Sequence, residues 1–151
     1  MNIQIERIHR TADYIDGTLR IDSIDKICDT AEFAPTALKA GTYRVLIHRC
    51  KQYRRKIPVV CLEGQSSSSC SACPKLDFIC NNSTLPIYCP QIKIGNGVYN
   101  RTDGSIIIGE RIVWGALIHS AEHFNRLIDR LDKAQNRGEL ITVTIKENYK
   151  P

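Results

Sequence analysis

Four of the seven cysteines crowd one stretch of the chain: Cys70 and Cys73 form a C-x2-C pair, with Cys80 and Cys89 following. Thiolates are zinc ligands, and a two-residue spacer lets both sulfurs of a knuckle face one ion. Cys80 and Cys89 are too far apart to make a second knuckle, and Cys89 falls in a segment that reads as strand. The pattern therefore supports half of a tetrahedral zinc site. It is equally met by buried thiols acting as small apolar groups, or by disulfides formed only after release from the cell. Cys28, Cys50 and Cys61 lie in strand-like contexts and read as core. With an odd number of cysteines, at least one stays unpaired in a fully oxidised monomer.

Two histidines also have chelating geometry. His119 and His123 are four apart at the start of an expected helix, so they share a face and would need a third ligand from elsewhere. No carboxylate stands at ligand spacing beside them, so a solvated first turn is the simpler reading. His9 and His48 fall on expected strands without a partner visible in the sequence. A third arrangement is "TDGSIIIGE", in which Asp103 and Gly104 make a bend that delivers Ser105 to the entrance of an apolar strand. Such a bend can present a nucleophile or simply turn the chain.

The order of the segments "ICDTAEF", "LKAGTYRVLIHRCKQYRRKIPVV", "LPIYCP", "TDGSIIIGE" and "ALIHSAEHFNRLIDRL" resembles a small domain family of phages, prophages and bacteria, especially of the Bacteroides group. That family shows a GTY-R/K-V strand, an I-H strand end, a D-x-E-G-C-I-x-V-G turn and a helix entered through N-S-R. Its I-H and G-C-I motifs are in turn similar to the histidine and cysteine motifs of L,D-transpeptidases, which cut and rejoin peptidoglycan stem peptides through a cysteine thioester. Carried over by position, the histidine falls on Tyr88 and the cysteine on Ser105. A tyrosine, with an ordinary pKa of about 10, is no ready base at neutral pH, and a serine hydroxyl depends on such a base more than a thiol does. Cys89, one residue beyond Tyr88, would point to the opposite face of a strand.

The resemblance thus implies a transpeptidase-like β scaffold whose catalytic pair is degenerate. The leading expectation is a non-catalytic phage- or prophage-type domain acting as a virion structural, accessory or binding protein, with proteins of a particle or cell-wall peptide as partners and no cofactor. One alternative is a peptidoglycan hydrolase or transpeptidase using Ser105 or a loop cysteine. Another is an interaction module stabilised by zinc on Cys70, Cys73, Cys80 and Cys89.

The elements that must position these residues are legible from patterning. The 151 residues, 42% apolar and 25% charged, suit one globular domain. Ile3, Ile5 and Ile8 are spaced for a strand with one buried face, and "GTLRIDSI" after a turn at "YIDG" reads as its hairpin partner. "ICDTAEFAPTALKA" reads as an irregular connection, and "GTYRVLIHRC" and "KIPVVCLE" as strands, the latter with Pro58 near its start. A polar, cysteine-rich loop is expected at about residues 64–84, inserted into the single domain. "LPIYC" and "GSIIIGERI" read as short buried strands.

A helix follows, with Ser120 as N-cap, Phe124, Leu127, Ile128 and Leu131 on one face, and Gly138 at the left-handed exit. "ELITVTIKE" is the last strand. The expected class is α+β, mostly β: a small barrel or sandwich with one helix in the C-terminal half packed on it before the last strand.

A net charge of +5 is mild, and the basic run of Lys51, Arg54, Arg55 and Lys56 reads as a solvated strand end. Tyr43, Tyr53 and Tyr149 do not interleave with basic residues, which argues against nucleic acid. No apolar run reaches the roughly 20 residues of a membrane span. The opening "MNIQIERIHR" lacks the apolar core of a signal peptide, so synthesis in the cytoplasm is expected, with exit by lysis or inside a particle.

Overall fold

The computed structural model describes residues 1–50, 55–61, 90–97 and 104–150, with the backbone alone for residues 48–50. Its strands are β1 (Asn2–Arg10), β2 (Tyr14–Ile21), β3 (Lys26–Phe33), β4 (Gly41–Cys50), β5 (Arg55–Cys61), β6 (Ile92–Lys93), β7 (Ile106–Val113), β8 (Ala116–Ile118) and β9 (Thr142–Glu147). A 3-10 turn spans Ala34–Thr36, and one α-helix, α1 (Ser120–Asn136), precedes β9. The strands form one sheet in the order β5-β4-β9-β1-β2-β3-β7-β6, with β8 added to β7. Its β1–β9 and β6–β7 pairs are parallel and the other ladders antiparallel.

The sheet curls into a half-barrel. Its two end strands approach each other where Val59 bridges Gln91 and the Val60 amide donates to the Pro90 carbonyl at 2.8 Å. Curling brings one face of every strand but β8 into a shared interior. Ile3 and Ile5 meet Leu19, Ile21, Val45, Ile106, Ile108, Val143 and Ile145 there, and α1 adds Phe124, Leu127, Leu131 and Ala134. A smaller cluster of Ala31, Ile107 and Leu117, with Tyr14 against it, lies apart from that core. The mostly-β architecture with one helix packed before the last strand is the one the patterning predicts.

Several local expectations are corrected. "ICDTAEF" is not irregular: it lies within β3, a central strand pairing β2 and β7. Its polar residues Asp29, Thr30 and Glu32 are buried. "YIDG" lies inside β2, and the turn before it is built by Thr11, whose hydroxyl accepts the Asp13 and Tyr14 amides at 3.2 and 3.1 Å. Arg7, not Ile8, joins Ile3 and Ile5 in the buried row, ahead of a register shift between Arg7 and His9. Pro58 is fourth in β5 and pairs with Ile47. It is tolerated mid-strand because β5 ends the sheet order.

The helix begins one residue earlier than expected. Its N-cap is His119, in the left-handed region at φ 54°. Ser120 is instead the first helical residue, where its hydroxyl donates to the Ile108 carbonyl and accepts the Gly95 amide at 3.1 Å. At the other end Gly138 takes φ 78°, its amide bonds Gln135 O at 2.9 Å and the Glu139 amide bonds Ala134 O at 3.0 Å. This is the paired-bond helix exit that glycine favours.

Candidate functional site

The Gly104–Ser105 bend is a structural junction. Gly104 has φ 84°, and a Cβ there would sit 3.0 Å from the Thr36 carbonyl oxygen. Ser105 is 1% exposed. Its Oγ accepts the Gln91 amide at 3.2 Å, and the next amide, of Ile106, donates to the Gln91 carbonyl at 2.8 Å. Ser105 therefore pins the approach to β6 against β7 where the sheet closes. The other positions of the expected constellations, Tyr88, Asp103, Cys70, Cys73, Cys80 and Cys89, lie outside the described residues, as does the cysteine-rich loop.

Of the cysteines read as core, Cys28 and Cys61 are buried. Burial, with the charge of Asp29 adding to it, pushes the Cys28 thiol up to about 12, so it remains protonated and inert at neutral pH. Cys50 lies in β4, its side chain outside the description. His119 is exposed, with Nδ1 3.8 Å from Glu122, and His123 is half-buried one turn on. Among the described residues no three of His, Cys, Asp and Glu gather as metal ligands would.

Among the described residues a dense polar cluster lies instead beneath the hairpin joining β7 and β8. Asp16 is fully buried on β2. Its Oδ1 accepts the Gly115 amide at 2.9 Å and Arg111 Nε at 3.3 Å. Arg111 also donates its backbone amide to Asp29 Oδ2 at 2.8 Å and an Nη2 hydrogen to the Gly17 carbonyl. Lys26 Nζ stands 2.7 Å from Asp29 Oδ1. Burial pushes the Asp29 carboxyl up, but the Lys26 ammonium and the Arg111 amide and charge outweigh it and hold the group below its ordinary range.

Aromatic packing completes the clamp. His9 stacks on Trp114 with centroids 4.1 Å apart and planes at 14°, its Nδ1 3.7 Å from Asp16 Oδ2. The Arg111 guanidinium lies 5.2 Å from the centre of the Trp114 ring. Gly115 takes φ 83°, leaving room for the Tyr14 ring 3.3 Å from where a Cβ would stand.

The result is a hairpin tip held rigidly outward. Ile112, Val113 and Trp114 are 56, 62 and 49% exposed, three successive large apolar side chains on ionic footings. Large apolar side chains exposed on a backbone held from beneath suit a contact surface, because part of the ordering cost of binding is met in advance. Beside it, His9, Arg10, Thr11, Tyr149 and Lys150 line an open cleft.

Sequence reasoning missed this cluster. In the sequence Asp16 reads as part of a turn and Asp29 as part of an irregular connection, and their partners lie 99 and 82 residues away. The visible trace was "RIVWG", the chain's single tryptophan in an apolar run between an arginine and a glycine. Compared with models of known protein families, with curated proteins and with solved structures, the chain matches none, and the site is read from its own geometry.

Proposed function

We propose that this is a non-catalytic phage- or prophage-type domain on a transpeptidase-like β scaffold, a virion structural or accessory protein that docks a protein partner through the β7–β8 hairpin. The observation that carries the docking role is the tip itself: Ile112, Val113 and Trp114 stand exposed while Asp16, Arg111 and Asp29 fix the backbone beneath them. The partner offers an apolar recess for the tip and an acidic rim for Arg10 and Lys150, which line the adjoining cleft. The absence of turnover is supported by Ser105, whose Oγ is buried and engaged by a backbone amide where a nucleophile would have to meet substrate.

The test has two arms. A photo-crosslinking residue at Val113 should capture one specific protein in particle-sized fractions of the native source, and I112S with W114A should abolish capture while leaving the circular dichroism spectrum intact. Crosslinks spread over many proteins, or particle-free fractions only, would remove the docking role. In the second arm, a fluorophosphonate or activated acyl probe should leave Ser105 unmodified by mass spectrometry; labelling that disappears in S105A would restore the enzyme reading.

A further inference from the structure

A second feature stands away from the hairpin. Between β5, β6 and the N-terminal half of α1 lies a cleft of about 350 Å³, within the roughly 300–1,000 Å³ range of small-molecule sites. Its floor is apolar: Phe124 and Ile57 are buried core side chains and Ile94 is half-buried. Its rim is polar and positive, with Arg55 exposed on the first position of β5, Lys93 on β6 and Asn125 on α1.

The walls are fixed before any ligand arrives. The Val60–Pro90 hydrogen bond ties β5 to the approach of β6, and Ser120 Oγ joins α1 to Gly95 and Ile108. One rim charge is also uncommitted. Lys56, beside Arg55, is bound by Asp132 at 2.8 and 2.9 Å, whereas Arg55 forms no ion pair with any described residue. The neighbouring recess, lined by Gly95, Asn96, Leu117 and His119, has no lysine or arginine. Positive charge over an apolar floor thus occurs in the first cleft and not in the second.

We propose that this cleft binds a small amphipathic anion, its carboxylate or phosphate head held by Arg55, with the Asn125 carboxamide as a further donor, and its apolar body laid on Phe124, Ile57 and Ile94. A guanidinium recognises both kinds of head through charge-assisted hydrogen bonds, and the floor selects for an attached hydrocarbon. The inference does not depend on the docking role of the hairpin.

The experiment titrates the full chain with decanoate, decyl phosphate, decanol and decyltrimethylammonium, followed by calorimetry and by amide chemical shifts. At least one of the two anions should bind at least about tenfold more tightly than decanol, a margin of about 1.4 kcal/mol, with the larger response naming the head group. The shifts should centre on Ile57, Ile94 and Phe124. R55A should reduce the anion's affinity to that of decanol, and R55E should turn the preference toward decyltrimethylammonium; both alter a rim position and leave the core untouched. Equal binding of decanol and both anions, no binding of either anion, undiminished affinity in R55A, or shifts centred on the hairpin would each overturn the proposal.

Discussion

Replacing Glu32 with glutamine tests whether the interior depends on one ion pair. Arg7 and Glu32 are each 1% exposed, and the guanidinium meets the carboxylate through two bonds, Nε to Oε2 at 2.9 Å and Nη2 to Oε1 at 2.7 Å. Burial alone would lower the Arg7 pKa, yet the Glu32 hydrogen bonds and charge raise it above its usual value. Glutamine keeps the shape but loses the charge, and its amide group turns donor against donor toward the guanidinium. Breaking a buried pair by removing one partner costs about 3–5 kcal/mol.

Arg7 retains the Leu38 carbonyl at 2.7 Å and the part-exposed Glu147 carboxylate at 3.2 Å, which place the loss at the lower end, about 3 kcal/mol. For a chain of this size that is a fall in Tm of roughly 6–12 °C. Urea titration should show a lower midpoint at unchanged slope. The double variant R7M with E32L, which removes both charges, should recover most of the loss. A change below about 1 kcal/mol in E32Q would refute the assignment of the pair as an interior fixture.

Gly104→Ala should cost roughly 2–4 kcal/mol, since it combines a left-handed backbone with a Cβ 3.0 Å from a carbonyl oxygen, whereas Gly138→Ala, with nothing within 4 Å, should cost about 1 kcal/mol by the same melts. Ser105→Ala should cost about 1–3 kcal/mol, the penalty of an unsatisfied buried Gln91 amide, and Ser105→Thr should not restore full stability because the added methyl has no room in a site 1% exposed. Asp29 has its folded pKa below its unfolded one, so its contribution is present above the ordinary carboxylate range and is lost as pH falls through it; D29N should be less stable than the parent at pH 7, and the gap should narrow on acidification. The Cys28 thiol, raised from 9.0 to about 12, should resist iodoacetamide at pH 9 until the chain unfolds, and its contribution to stability should decline as pH rises above 9.

What the sequence disclosed follows from the range of the forces involved. β4, β9 and α1 are legible because alternation, helical spacing and Gly138 are local signals of burial and exit. β3 is not, because Asp29 and Glu32 look solvated in any short window and become core only through Lys26, Arg111 and Arg7. The same holds for Asp16, where an Asp-Gly pair carries the usual signature of a turn and only the distant Gly115 amide and Arg111 make it a buried anchor. The Ser105 bend was legible as the entrance to a strand, but its burial depends on a ladder contact with Gln91 that no local pattern records.

The position of β9 between β4 and β1 has a kinetic consequence. Residues 2–7 and 41–44 each complete a ladder only when residues 142–147 arrive, so a nascent chain carries two unpaired edges until that segment has been made. Assembly of the sheet therefore waits on a closure spanning 140 residues, the kind of long-range pairing that slows folding.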